Sequence, residues 1–249
     1  MKVALLQQDI VWADPAQNMR RAEAAIMGAG KADLYVLPEM FTTGFATQPQ
    51  GIAEREGQSL RWMKAAAARL DAAIAGSVAV ETEGGFRNRF YFVKPDGEVA
   101  CYDKRHLFSY AGEHLHYTAG EQRTTVEFRG VRFLLQVCYD LRFPVWARNR
   151  EDYDCMLYVA NWPRTRIQAW HTLLAARAIE NQCYVCGVNR VGDDAACHYS
   201  GGTALIHPYG MPVAVARDEA EDCVTGEIDM DFLRTFRQKF PVLKDRDVF

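Results

Sequence analysis

The feature that most restricts the fold is an order of apolar segments that the chain runs through twice. A short apolar strand over residues 3–8 opens the first half, and helical spacing follows from Asp14, with Met19, Ala22 and Ile26 on one face. Apolar residues three and four apart mark the buried side of a helix. Asp14 is placed to cap that helix, Pro15 to fill its first position and Gln17 to complete a capping box. Next come a buried strand at 34–37, a helix with Ser59 as its expected cap and Leu60, Met63, Ala67 and Leu70 on one face, and a strand over 73–80. Two more strands, 90–93 and 99–102, pair across Pro95-Asp96-Gly97, a hairpin turn.

The second half repeats nearly the same order. A strand over 131–137 leads to a short helix opened by Pro144, and a strand over 155–160 is followed by a helix with Ile167, Trp170, Leu174 and Ala178 on one face. A strand over 184–189 then precedes a hairpin, 203–206 with 213–216, turning at His207-Pro208-Tyr209-Gly210. Alternation of strand and helix fits one doubly wound sheet covered by helices. The doubled order fits a pseudo-symmetric pair of sheets packed face to face, with helices outside. Either is an α/β fold. No low-complexity stretch or Gly/Ser linker divides the chain, so one domain over residues 1–249 is expected.

Bulk properties narrow the partners. At 249 residues with 49% hydrophobic side chains, the chain can bury a large core without disulfide help. Its seven cysteines are odd in number and scattered, which fits free thiols in a reducing compartment. The net charge of −3 lacks the basic excess of a nucleic-acid binder. No run of 18 apolar residues is present to span a membrane, and the apolar stretch 3–6 is too short for the core of a signal peptide. We therefore expect a cytoplasmic protein that handles a small molecule, with neither nucleic acid nor membrane as partner.

Three polar residues sit just past the ends of apolar strands: Glu39, Lys104 and Cys138. In α/β sheets ligands gather at the carboxyl ends of strands, so residues far apart in sequence can meet there. At Cys138 a strand gives way to a turn, and Phe143-Pro144 opens a helix. Such an elbow exposes a nucleophile and aims backbone N–H groups at developing negative charge, and a helix N-terminus favours thiolate. Free cysteine is also among the most buried residue types, so a plain core cysteine satisfies the same pattern. Glu39 taken alone reads as a solvated loop carboxylate ahead of a general base. Lys104, in Asp103-Lys104-Arg105-His106, reads alone as part of a charged loop. Cys183 and Cys186, with Cys197-His198, offer ligands of the kind zinc takes, but a separation of three on one strand points side chains to opposite faces. That favours core packing over a metal site for them.

Taken in order, Leu37-Pro38-Glu39-Met40, Tyr102-Asp103-Lys104-Arg105-His106-Leu107 and Val137-Cys138-Tyr139-Asp140-Leu141-Arg142-Phe143-Pro144 resemble the Glu, Lys and Cys segments of the carbon–nitrogen hydrolase (nitrilase) superfamily. Phe41-Thr42-Thr43-Gly44-Phe45, Phe108-Ser109-Tyr110-Ala111-Gly112-Glu113-His114, Tyr158-Val159-Ala160-Asn161-Trp162-Pro163 and Ala175-Ala176-Arg177-Ala178-Ile179-Glu180-Asn181 look like its bacterial YafV-type omega-amidase branch. The resemblance implies a four-layer α-β-β-α sandwich, a homodimer or larger assembly, and no metal or organic cofactor. It also implies that Glu39, Lys104 and Cys138 form a catalytic triad, with Glu113 as a second glutamate beside it.

In such a site Glu39 takes the thiol proton, Cys138 attacks an amide carbonyl, and Lys104 with the backbone N–H of Tyr139 meets the charge on oxygen. Lys104 also favours Glu39 and the Cys138 thiolate as anions. Glu113 then orients Lys104 or the amide nitrogen, unless it is only a structural ion-pair partner. The resemblance implies a 2-oxo acid monoamide as substrate, with a carboxylate remote from the amide. Arg164 and Arg166 are the candidates to receive that carboxylate, unless they simply face solvent, and Phe41, Phe45, Tyr110 and Trp162 are the candidate apolar walls. An aliphatic amidase, an N-carbamoyl hydrolase or a nitrilase would share the triad and differ in the pocket. A thiol-redox protein would instead need Cys183 and Cys186 reactive, and a silent scaffold would not need the triad.

Overall fold

In the computed structural model, which describes residues 1–55 and 57–247, the first half supplies β1 (Lys2–Gln7), α1 (Pro15–Ala29), β2 (Leu34–Val36), α2 (Gln58–Leu70), β3 (Ala73–Thr82), β4 (Gly85–Val93) and β5 (Val99–Asp103). The second half supplies β6 (Thr125–Phe128), β7 (Val131–Val137), α3 (Pro144–Ala147), β8 (Cys155–Ala160), α4 (Ile167–Asn181), β9 (Tyr184–Asn189), β10 (Val191–Asp193), β11 (His198–Ser200), β12 (Ala204–Ile206), β13 (Pro212–Val215), β14 (Asp222–Glu227) and α5 (Met230–Lys239).

The strands form two six-stranded sheets, in the orders β14-β1-β2-β3-β4-β5 and β13-β12-β9-β8-β7-β6, with β10 and β11 as a separate ribbon. Strands β1, β2 and β3 run parallel, as do β7, β8 and β9. Each parallel trio is extended by an antiparallel hairpin, β4 with β5 in one sheet and β12 with β13 in the other. The doubled order therefore builds two equivalent sheets, in the α-β-β-α sandwich of the nitrilase type.

Both faces of the central strands are buried, which is why these strands read as continuous apolar runs. In β1, Val3 and Leu5 join the core between the sheets, while Ala4 and Leu6 join Met19, Ala22 and Ile26 of α1 and Met63 and Ala67 of α2 in an outer core. Phe92 of β4 meets Phe133 of β7 across the sheets, with ring centroids 5.5 Å apart. On the other outer side, Trp170, Leu174 and Ala178 of α4 are buried against the second sheet. No helix among the described residues is long and apolar enough to cross a membrane.

Several local expectations shift. Asp14 Oδ1 does accept the N–H of Gln17 at 2.9 Å. Ser59, however, lies inside the first turn of α2 rather than at its cap. Its N–H and hydroxyl both donate to Glu54 Oε2, at 2.9 and 2.5 Å, so the orphan donors of that helix start are met by a side chain five residues upstream. Strand β4 begins five residues before the expected start, because Arg87 and Arg89 break the apolar signal. Asn88 shares the inward stripe with Phe90 and Phe92, both buried in the core between the sheets. Cys183 precedes β9 instead of lying within it, and the Cys186 sulfur packs 3.7 Å from that of Cys155.

Candidate active site

The sandwich brings four strand ends together. Glu39 follows β2, Lys104 follows β5, Cys138 follows β7 and Asn161 follows β8. Glu113 reaches the same point from a 3-10 turn at Glu113–Leu115. Lys104 Nζ, with its side chain wholly buried, donates to Glu39 Oε1 at 2.9 Å and to Glu113 Oε2 and Oε1 at 2.9 and 3.2 Å. Glu39 is further held by the N–H of Asn161 on Oε2 at 2.8 Å, and by Asn88 Nδ2 on Oε1 at 2.7 Å. Asn161 Nδ2 adds bonds to the Glu39 carbonyl at 2.8 Å and to Oε2 at 3.2 Å. Glu113 Oε2 also accepts the N–H of Phe108 at 2.5 Å, tying the ion cluster to an aromatic wall.

Cys138 sits at the elbow with φ of 45°, a left-handed conformation rarely tolerated by a side-chain-bearing residue. Asp140 holds that bend. Its carboxylate accepts the N–H of Val137 at 2.9 Å, the Tyr102 hydroxyl at 2.8 Å and the N–H of His106 at 3.0 Å. The chain continues as a 3-10 turn, Cys138–Arg142, before α3, so the N–H of Tyr139 lies in its first turn, where backbone donors have no intrahelical acceptor. The Cys138 sulfur lies 4.0 Å from the Asn161 carbonyl oxygen.

Charge in this buried cluster is uneven: two carboxylates face one ammonium. Burial works against the Lys104 cation, but Glu113 and Glu39 outweigh it and hold the amine well above the ordinary lysine range. Burial and the neighbouring charge of Glu39 push the Glu113 carboxyl up, opposed by Lys104 and the Phe108 N–H. Burial, then Glu39, push the Cys138 thiol well above 9.0, with Lys104 only partly opposing them. Burial and the Glu39 carboxylate thus favour the neutral thiol over the thiolate that the elbow alone implied.

A cavity of about 560 Å³ opens beside this cluster, lined by Trp12, Phe45, Phe108, Asn161, Arg166 and Tyr199 among others. Phe45 lies over Lys104, with Nζ 5.3 Å from its ring centroid, and Asn161 links the wall to Glu39. Of the residues expected in the wall, Phe45 and Arg166 are there. Phe41 is not: Met40 has φ of 45°, and Phe41 turns into the outer core, 5.7 Å from Trp62. Trp162 packs against Trp170, and Tyr110 is 85% exposed with its ring tilted against Phe108. Arg164 points to Glu219, its Nη1 3.1 Å from the carboxylate. Arg166 has no carboxylate partner among the described residues, and its guanidinium lies 5.4 Å over the Phe108 ring. Asn88, Trp12 and the segment 194–199 went unrecognised in the sequence. The only trace of Asn88 was a lone polar residue on an inward apolar stripe. Cys183, Cys186, Cys197 and His198 do not gather, since His198 is bound by Asp193 and Glu219.

A model of the Carbon-nitrogen hydrolase family matches residues 2–238. The chain belongs to the carbon–nitrogen hydrolase family. It is an amide-hydrolysing enzyme of the nitrilase superfamily. Over 250 residues it is 50% identical to omega-amidase YafV of Escherichia coli (strain K12), covering 100% of this chain and 98% of that one. It is 36% identical to 2-oxoglutaramate amidase of Bacillus subtilis (strain 168), covering 98% and 96%. A crystal structure of a CN-hydrolase superfamily protein from Xanthomonas campestris superposes with a TM-score of 0.97 at 46% identity, covering 100% of this chain and 98% of that one. In this carbon–nitrogen hydrolase, five of the seven segments that resembled the family bring a residue to the buried cluster: Glu39, Lys104, Glu113, Cys138 and Asn161.

Proposed function

We propose that this carbon–nitrogen hydrolase is an omega-amidase that hydrolyses 2-oxoglutaramate or 2-oxosuccinamate to the 2-oxo acid and ammonia. The observation that carries this reading is the Arg166 guanidinium, unpaired among the described residues, in the wall of an otherwise largely apolar cavity beside the buried Glu39, Lys104, Glu113 and Cys138 cluster. A guanidinium fork matches a carboxylate, so it fixes the end of the substrate remote from the amide. The names of the relatives in Escherichia coli and Bacillus subtilis point the same way.

In this reading Cys138 is the nucleophile and Glu39 the base. Glu39 takes the thiol proton as the sulfur–carbon bond forms. The charge thrown onto the carbonyl oxygen is met by Lys104 and the N–H of Tyr139, a stabilisation commonly worth about 3–4 kcal/mol per donor. Glu39 gives the proton to the amide nitrogen as the carbon–nitrogen bond breaks, ammonia leaves and a thioester remains. A water then loses a proton to Glu39 and attacks the thioester, and the departing sulfur recovers that proton. Glu113 holds Lys104 through two bonds of 2.9 and 3.2 Å.

We also propose that residues 1–249 act as one domain, which β14 supports by returning from the end of the chain to pair with β1. All seven cysteines are free, which suits the cytoplasm. A homodimer is proposed through the face where the rings of Tyr209, Phe236 and Phe240 follow one another, tilted, with centroids 4.7 and 6.5 Å apart, because Tyr209 and Phe240 are exposed and apolar there.

The test of the activity is steady-state kinetics with ammonia and oxo acid both measured. The 2-oxo amides should exceed glutamine, asparagine and butyramide by about a hundredfold or more in kcat/KM, because an unmatched charge or a missing carboxylate forfeits binding at Arg166. Arg166→Met should erase the preference over butyramide. A wild-type preference for butyramide, a nitrile or an N-carbamoyl amino acid would refute the substrate assignment.

A further inference from the structure

Asn88 lies on the inward stripe of β4, 1% exposed, at a position where its neighbours Phe90 and Phe92 are apolar. Its Nδ2 donates to Glu39 Oε1 at 2.7 Å and to Glu113 Oε1 at 3.2 Å. Those are two of the oxygens that Lys104 Nζ also contacts, so two donors and two carboxylate oxygens close a four-cornered ring. The amide has one sensible orientation, since turning it over would set its carbonyl oxygen against both carboxylates. That orientation leaves Oδ1 buried without a partner. An orphaned acceptor is a cost to folding, and a small apolar side chain would fill this stripe without it.

The charge balance explains what the amide adds. Two carboxylates share one ammonium, and a second cation at this corner would tie up the base. A neutral amide supplies two N–H groups and no charge. The other titratable groups facing the ring are Cys138 after β7 and Tyr117, whose hydroxyl is committed to the Ala46 carbonyl at 2.6 Å. The Asn88 carbonyl also accepts the N–H of Lys104 at 2.9 Å, a bond that survives any change of side chain.

We propose that Asn88 is a positioning residue for amide hydrolysis: it holds Glu39 and Glu113 aligned around Lys104, and acts on the substrate only through them. This rests on Glu39 being the base. Loss of the N–H donors further disfavours the charged Glu113 carboxyl, which burial already raises, so the cluster takes up a proton at higher pH and activity is lost from the acid side.

The experiment compares wild type with Asn88→Ala and Asn88→Ser, using 2-oxoglutaramate kinetics across pH. For Asn88→Ala, kcat should fall about 10- to 100-fold with KM within about threefold, and the acid limb of the kcat/KM profile should move up by about one pH unit. Asn88→Ser, which keeps one donor, should lie between, and it carries the test alone if the alanine variant does not fold. A fall in kcat with an unmoved acid limb, a rise confined to KM, or no change at all would overturn the role. Substrate-free alkylation of Cys138 by iodoacetamide separates the two readings. If Glu39→Gln changes its pH dependence and Asn88→Ala does not, the Asn88 proposal fails and the base stands. If Glu39→Gln leaves it unchanged, the assignment of the base fails instead.

Discussion

Replacing Lys104 by methionine removes a charge while keeping most of the side-chain volume, so it isolates the ion cluster from the packing around it. The ammonium is wholly buried and makes three bonds of 2.9–3.2 Å to two carboxylates. Removing one partner of a buried ion pair costs about 3–5 kcal/mol, because the remaining charge has neither water nor counterion. For a chain of this size each kcal/mol moves Tm by about 2–4 °C, so the variant should melt roughly 6–20 °C below wild type at neutral pH. The pH dependence has a definite sign. Burial and Glu39 already raise the Glu113 carboxyl above its ordinary value of 4.5, and losing Lys104 removes the main opposing influence. A carboxyl raised in the folded state contributes stability below its unfolded value, and that contribution is lost as pH rises through the folded one. The gap between variant and wild type should therefore be narrow near pH 4.5 and widen toward pH 8. Calorimetric melts over that range measure it. A gap under about 1 kcal/mol, or one that stays constant with pH, would refute the picture of two buried carboxylates sharing one cation.

Three further outcomes follow from the geometry. Phe41→Ala should cost about 3–5 kcal/mol of stability through the outer core, whereas Phe45→Ala should spare stability and impair turnover, as paired melts and kinetics will show. Absorbance of the thiolate, referenced to Cys138→Ala, should show Cys138 neutral at pH 7.5 and ionising only above 9.0, where burial and Glu39 have pushed it. Tyr209→Lys should convert the proposed dimer to monomer in sedimentation equilibrium; an unchanged mass would place the contact elsewhere.

The fold was legible because its burial is two-sided. Runs such as Val3–Leu6 and Cys155–Ala160 have no polar alternation, and their doubled order separated the sandwich from a single sheet once the pairing was known. Strand β14 was not legible, since Asp222-Cys223-Val224-Thr225-Gly226-Glu227 is half exposed on an edge and carries no apolar run. The ends of β2, β5 and β7 pointed to Glu39, Lys104 and Cys138 because position along a strand sets where a side chain can gather. The cavity wall resisted the same reasoning. Phe41 and Phe45 lie on one loop, and left-handed turns at Met40 and Gly44 accompany the sending of one to the core and the other to the site. Arg164 and Arg166 are likewise two apart, and it is Glu219, far along the chain, that occupies the first and leaves the second free for the cavity. Trp12 and Cys197 enter that wall from opposite ends of the sequence, which no local pattern records.

The most direct measurement is intact mass after rapid acid quench of the enzyme with 2-oxoglutaramate, followed by peptide mapping. The wild-type chain should gain the mass of the substrate less ammonia, on the peptide that contains Cys138, and Cys138→Ala should neither gain it nor release ammonia. An adduct on another residue, or ammonia released by a folded Cys138→Ala enzyme, would contradict hydrolysis through a thioester at the β7 elbow.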